Sequence, residues 1–167
     1  MRTLIVYGTK YGCTRKCAEL LKERLSGEVC LQNAKSYRGS LKEYDAVFIG
    51  SSVYMGKIRG EVSRFCRRHS KELLKKQLGL FACCYTPKET EGSLETLFPR
   101  ELLGHTTYVT AVGGEMHYEK MNVVYRKLFQ SLKKIGGFQE GFQEPQINLE
   151  EIQKLADAVL NKANRER

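Results

Sequence analysis

The fold turns on residues 4–18, LIVYGTKYGCTRKCA. With Thr3, the residues Leu4 to Tyr7 make an apolar run of strand length, rich in β-branched and aromatic members. The chain leaves this run through Gly8 and a turn made of Thr9, Lys10, Tyr11, Gly12, Cys13 and Thr14. From Thr14 to Ser26 the period changes. Cys17, Leu20, Leu21 and Leu25 recur at helical spacing with Lys and Arg on the other face, and Gly27 supplies a stop. A strand, a glycine turn and a helix in that order open a parallel α/β sheet.

The alternation continues downstream. EVCLQNA (28–34) reads as a second strand and YDAVFIGSS (44–52) as a third, apolar enough to be buried on both faces. Residues 59–76 read as one basic helix with Val62, Phe65, Cys66 and, less regularly, His69 on its apolar side. LGLFACCY (78–85) and TTYVTAVGG (106–114) are the fourth and fifth strands. Helices follow over 119–135 and 149–163, the last opened by Asn148 as an N-cap. Right-handed crossovers then give a doubly wound five-stranded parallel sheet of order 2-1-3-4-5 with helices on both faces, in one domain over 1–167. The ligand crevice of such a sheet lies outside the carboxyl ends of strands one and three.

Composition narrows the classes. Hydrophobic content of 41% and charged content of 28% suit a globular domain. No run approaches the length of a membrane span, and no cleavable leader precedes the first strand, so the expected compartment is the cytoplasm. The six cysteines show no C-x-x-C, and no metal site is expected; in a reducing cytosol they read as small apolar side chains, with a redox or disulfide role as the alternative. Cys13 stands apart, because the start of a helix stabilises a thiolate. The net charge of +9 attracts acidic partners. Nucleic acid ranks last among them, since the basic residues are not interleaved with aromatics in a recognition motif.

Three ligand classes fail at the first turn. A nucleoside-triphosphate loop would follow its second glycine with Lys-Ser or Lys-Thr, a dinucleotide fingerprint would read G-x-G-x-x-G, and a receiver domain would carry carboxylates at the ends of strands one and three. None is present. What remains is T-x-x-G-x-T, with Thr9, Gly12 and Thr14 in the key places. Backbone amides of the turn and of the helix it opens, joined by two hydroxyls, suit a terminal phosphate monoester. An ordinary capped βα turn is the plain alternative. Two further turns fall at the same edge of the sheet, SSVYMGK (51–57) and YTP (85–87), and each brings a tyrosine, Tyr54 and Tyr85, able to flank a planar ring.

With these turns the chain resembles the flavodoxin-type FMN proteins. The stretches VYGTKYGCTRK, VFIGSSVYMGKIRGEVSRFCRRH and AVGGEMHYEKMNVVYRKLFQSLKKIGG make it similar to the menaquinone-dependent protoporphyrinogen dehydrogenase branch of that superfamily. The resemblance implies FMN as cofactor and no metal. It implies a phosphate loop of Thr9, Lys10, Tyr11, Gly12, Cys13 and Thr14. A first flavin loop then comprises Ser51, Ser52, Val53, Tyr54, Met55, Gly56 and Lys57, and a second Tyr85, Thr86 and Pro87; Gly113 and Gly114 complete the set. It also implies an oxidoreductase that meets a porphyrin and a quinone, with a flavodoxin-type electron carrier between protein partners as the alternative.

Charge bears on that chemistry. A cation about 10 Å from an anionic reduced ring contributes about 1.7 kcal/mol at an effective dielectric of about 20, so a basic protein is expected to hold a less reducing flavin than an acidic carrier. Helix 119–135 sets Met121, Val124, Tyr125, Leu128, Phe129, Leu132 and Ile135 in one stripe, flanked by lysines and arginines. It either packs on the core or lies on anionic lipid at the inner face of the membrane. His105 and His117 are loop histidines or proton donors; no catalytic residue is named.

Overall fold

The computed structural model describes residues 1–54, 56–83, 94–115 and 145–165, and, beyond these, Val123, Arg126, Lys127, Gln130 and Ser131. The elements in chain order are β1 (Arg2–Gly8), α1 (Cys13–Lys22), β2 (Glu28–Asn33), β3 (Ala46–Tyr54), β4 (Lys57–Ile58), α2 (Gly60–Arg68) and α3 (Ser70–Leu73). They continue with β5 (Gln77–Cys83), α4 (Leu94–Leu97), α5 (Arg100–His105), β6 (Tyr108–Ala111) and α6 (Leu149–Arg165). The parallel strands stand in the order β2-β1-β3-β5-β6, which is the expected 2-1-3-4-5 arrangement once the short antiparallel β4, paired only to β3, is set aside.

Side chains alternate across the strands and give each face its own core. Leu4, Val6, Val47, Ile49, Leu78 and Leu80 pack with Val62, Phe65 and Cys66 of α2 and with Leu73. Ile5, Tyr7, Phe48, Phe81 and Cys83 face the other way, onto Cys17, Ala18 and Leu21 of α1 and Ile152, Leu155 and Val159 of α6. Two phenylalanines on this second face lie over glycines of the neighbouring strand. Phe48 pairs in register with Gly79, and Phe81 with Gly50. A Cβ on Gly50 would sit 2.0 Å from the Phe81 ring.

The helix expected over 59–76 is two helices. At His69 the backbone leaves helical geometry with φ −105° and ψ 12°, and α3 starts again behind it. The apolar stripe runs across the break, because His69 is itself buried against Phe65 and Tyr37. Its Nδ1 lies 3.2 Å from Glu72 Oε1, and the amide of Leu41 donates to the same carboxylate. The short helices α4 and α5, between the fourth and fifth parallel strands, were not expected. Asn148 caps α6 as expected, its Oδ1 accepting the Glu151 N–H at 3.1 Å.

Glu151 fastens α6 to the edge strand. It accepts the Thr110 hydroxyl at 2.6 Å, the Tyr108 hydroxyl at 3.2 Å and the Lys154 ammonium at 3.0 Å. The Thr110 hydrogen bond, followed by those from Lys154 and Tyr108, holds its carboxyl below the usual range against the opposing effect of burial. Since the folded pKa is depressed, the stabilisation is present above the unfolded pKa of about 4.3 and is lost as pH falls through the folded value. Glu151→Gln is expected to cost about 1–2 kcal/mol at neutral pH. In urea titrations at a series of pH values, that cost should shrink below the unfolded pKa and vanish once pH has fallen past the folded one.

Candidate functional site

Register brings four connections to one edge. Gly8 lies beside Ser51, Ser51 beside Ala82, and Ala82 beside Ala111. Past this row run the turn Thr9–Gly12, the Tyr54–Lys57 hairpin and the segment Val112–Glu115, and β5 ends there at Cys83. The sequence-derived site residues therefore share one edge wherever they are described. Met55 and Tyr85, Thr86 and Pro87 lie outside the described residues.

The first turn is shaped by Gly12, whose φ of +100° only glycine adopts without strain. Its amide donates to Thr9 Oγ1 at 2.9 Å and its carbonyl accepts the Lys16 amide at 3.1 Å, so the turn leads directly into α1. Gly12 occupies the N-cap position and offers α1 no side-chain cap. The first amides of the helix thus lack the partner that a Ser, Asp or Asn would give them. Thr14, in that first turn, is 0% exposed, and its Oγ1 has no hydrogen-bond partner among the described residues. A buried hydroxyl left unpaired costs about 1–3 kcal/mol, which makes it an uncommon feature at a helix start that has no side-chain cap. Together they make a candidate cradle for an anion. An anion entering it competes with the Thr9–Gly12 bond for the Gly12 amide.

Lys10 lies across the mouth. Its ammonium stands 4.2 Å from the centroid of the Tyr54 ring and 5.0 Å from that of Tyr11. The cation therefore joins the first turn to the Tyr54 ring of the hairpin. The hairpin itself is more ordered than a loop. Tyr54 pairs with Lys57 and Val53 with Ile58, leaving a two-residue connection in which Gly56 takes φ +70°.

Ser51 plays an internal part. It is 0% exposed, donates to the Ser52 carbonyl and accepts the Arg59 amide at 2.9 Å, so its hydroxyl braces the return strand. Ser52 differs, having a buried Oγ with no partner among the described residues, beside Cys83 in register. Gly113 bridges to Ile147 and the Gly114 amide donates to the Gln146 carbonyl, so both tie the edge to the chain entering α6. The next residue, Glu115, reaches the first turn of α1: its amide donates to Cys13 Sγ at 3.2 Å and its carboxylate pairs with Lys16.

That contact belongs to a grouping the sequence spacing did not display. The sulfur atoms of Cys13, Cys17 and Cys83 all lie within 4.8 Å of one another. Cys17 and Cys83 are buried, and hydrogen bonding with Cys13 together with desolvation pushes both thiols well above their ordinary pKa.

His105 is at the other end of the sheet. Its Nε2 lies 2.9 Å from the carbonyl of Lys76, just ahead of β5, so it anchors that loop and is remote from the site. His117 and most of segment 119–135, including every residue of its apolar stripe, lie outside the described residues. Among those described, Val123 is 61% exposed, and no described helix is long and apolar enough to cross a membrane.

Comparison with known proteins agrees with this architecture. A family model described as a flavodoxin domain matches residues 4–141. Protoporphyrinogen IX dehydrogenase [quinone] from Leishmania major is 22% identical over 149 residues, spanning 81% of this chain and 64% of that protein's length. Among solved structures, oxidised flavodoxin 2 from Bacillus cereus superposes with a TM-score of 0.60 at 19% identity, covering 97% of this chain and 99% of that one. A flavoprotein in complex with FMN from Lactobacillus acidophilus NCFM gives a TM-score of 0.55 at 15% identity over 66% of this chain and 92% of that one. The chain belongs to the flavodoxin domain family.

Proposed function

We propose that the chain is an FMN-dependent oxidoreductase that takes reducing equivalents from a porphyrin-class donor and passes them to a quinone. FMN is the cofactor of this flavodoxin domain. The observation that carries the proposal is the cradle at the start of α1, with the unpaired, fully buried Thr14 hydroxyl next to uncapped helix amides. A phosphate ester would supply an acceptor oxygen to the Thr14 hydroxyl and further ones to the helix start. Thr9, Gly12, Cys13 and Thr14 would hold it, and the hairpin from Ser52 to Lys57 would flank the flavin ring. The bound cofactor supplies the electron and hydride chemistry. The protein's share is orientation and field: Lys10 and Lys57 at the edge, within a chain of net charge +9, favour an anionic reduced ring and draw carboxylate-bearing donors.

The finer assignment is supported by the likeness to the Leishmania major dehydrogenase over 81% of this chain. A second reading, a one-electron carrier between proteins, is favoured by the end-to-end superposition on a flavodoxin. The two part under a single assay. FMN-loaded protein with protoporphyrinogen IX and a soluble menaquinone analogue, kept anaerobic, is expected to generate porphyrin fluorescence faster than free FMN at equal concentration. A rate no greater than that of free FMN, together with rapid reduction by a flavodoxin reductase, assigns the carrier role.

A further inference from the structure

The thiol group beneath the first turn of α1 has a composition and shape that a buried core does not require. Cys13 and Cys17 stand four residues apart and so share one face of α1. Cys83 is the last residue of β5 and points to the same side of the sheet as Phe81. The helix thus lays two sulfurs over the third, and among the described residues no other group of three possible ligands gathers this way. We propose that Cys13, Cys17 and Cys83 bind a single thiophilic d10 cation, zinc(II) or copper(I), through three sulfurs.

The geometry accommodates it. Three thiolates about 2.3 Å from a shared metal stand roughly 3.8–4.0 Å from one another, within the 4.8 Å that already encloses all three. Soft sulfur donors select this class of metal over magnesium or calcium. Binding displaces the thiol protons to solvent and leaves an anionic cluster. The start of α1 offsets part of that charge with its dipole, while the Lys16 ammonium one turn along is paired with the Glu115 carboxylate and adds no net charge. Cys13 is only partly buried, which provides an entry path and, for a tetrahedral ion, a position for one water. A metal held here ties the start of α1 to the end of β5, and does so whether or not FMN is bound.

The test uses the full chain, reduced and stripped of metal, titrated with zinc(II) and separately with copper(I) against a chromophoric chelator. One equivalent of at least one of them is expected to bind. Cys17→Ser and Cys83→Ser should each weaken it by more than about 100-fold, beyond what outer-shell changes produce, while Cys30→Ser and Cys66→Ser leave it unchanged. X-ray absorption on the unmodified, metal-loaded protein should show three sulfurs at about 2.3 Å, and this decides the matter even where a variant fails to fold. Absence of a one-to-one complex with either cation overturns the proposal. So does a complex with fewer than three sulfurs, or one that survives in folded Cys17→Ser or Cys83→Ser protein.

Discussion

Thr14→Val is expected to weaken FMN binding about 10–100-fold, the range for losing one hydrogen bond to a charged acceptor. The same change is expected to leave the cofactor-free protein as stable as before, or up to about 1 kcal/mol more stable. The two effects have one origin. The Thr14 hydroxyl is fully buried without a partner among the described residues, so the fold by itself gains nothing from it. Valine keeps the shape and the branching at Cβ and removes only the hydroxyl. A residue kept for packing would give the reverse outcome: unchanged affinity and a loss of stability. Fluorescence titration with FMN and urea unfolding of the cofactor-free variant measure the two quantities separately. Unchanged affinity would remove Thr14 from the cradle.

Gly50→Ala should destabilise the fold by about 2–3 kcal/mol, the upper range for overpacking. The sign is what makes the test useful. Alanine in place of glycine inside a strand ordinarily stabilises by roughly 0.5–1 kcal/mol through backbone entropy. Here the added methyl would lie 2.0 Å from one carbon of the Phe81 ring and 2.3 Å from another. That ring is 1% exposed and packed in the core shared with α1 and α6, so it has no open space to move into. Phe81→Leu shortens the side chain and should relieve the clash. In a double-mutant cycle the pair should cost less than the sum of the single changes by about 1 kcal/mol or more. Additive costs would show that Gly50 and Phe81 do not meet.

Much of the fold was legible because period and burial agree. The apolar runs of β1, β3 and β5 have few polar interruptions, and the stripe Cys17, Leu21 of α1 shows its buried face directly. The single helix expected over 59–76 failed for a local reason. Val62, Phe65, His69 and Leu73 keep a helical spacing through the break, and only the backbone at His69 departs from it. Helices α4 and α5 are four and six residues long, too short for a period to show. The segment Ser51–Lys57 read as a turn because Ser51, Ser52 and Gly56 break the apolar pattern; the pairing of Val53 with Ile58 and of Tyr54 with Lys57 shows only in the structure.

The turn proposed to hold the phosphate could be picked out from Thr9, Gly12 and Thr14, which are close together in the chain and need no tertiary information. The internal role of Ser51 was not, since it depends on the amide of Arg59 folding back onto it. Nor was the meeting of Cys83 with Cys13 and Cys17, because only the register of β5 and the pitch of α1 join residues so far apart in sequence. The possible proton donor His105 was read without knowing which end of the sheet it occupies, and it anchors the end away from the site.

The central claim is that the turn after β1 and the first amides of α1 grip the phosphate of a flavin. Calorimetric titration of cofactor-free protein with FMN and, in parallel, with riboflavin tests this directly, because the two ligands differ only in that phosphate. One equivalent of FMN should bind, with riboflavin weaker by at least about 100-fold, as expected when two or more hydrogen bonds to a charged group are lost. Equal affinity for the two, or no saturable heat with FMN from folded protein, would contradict the claim.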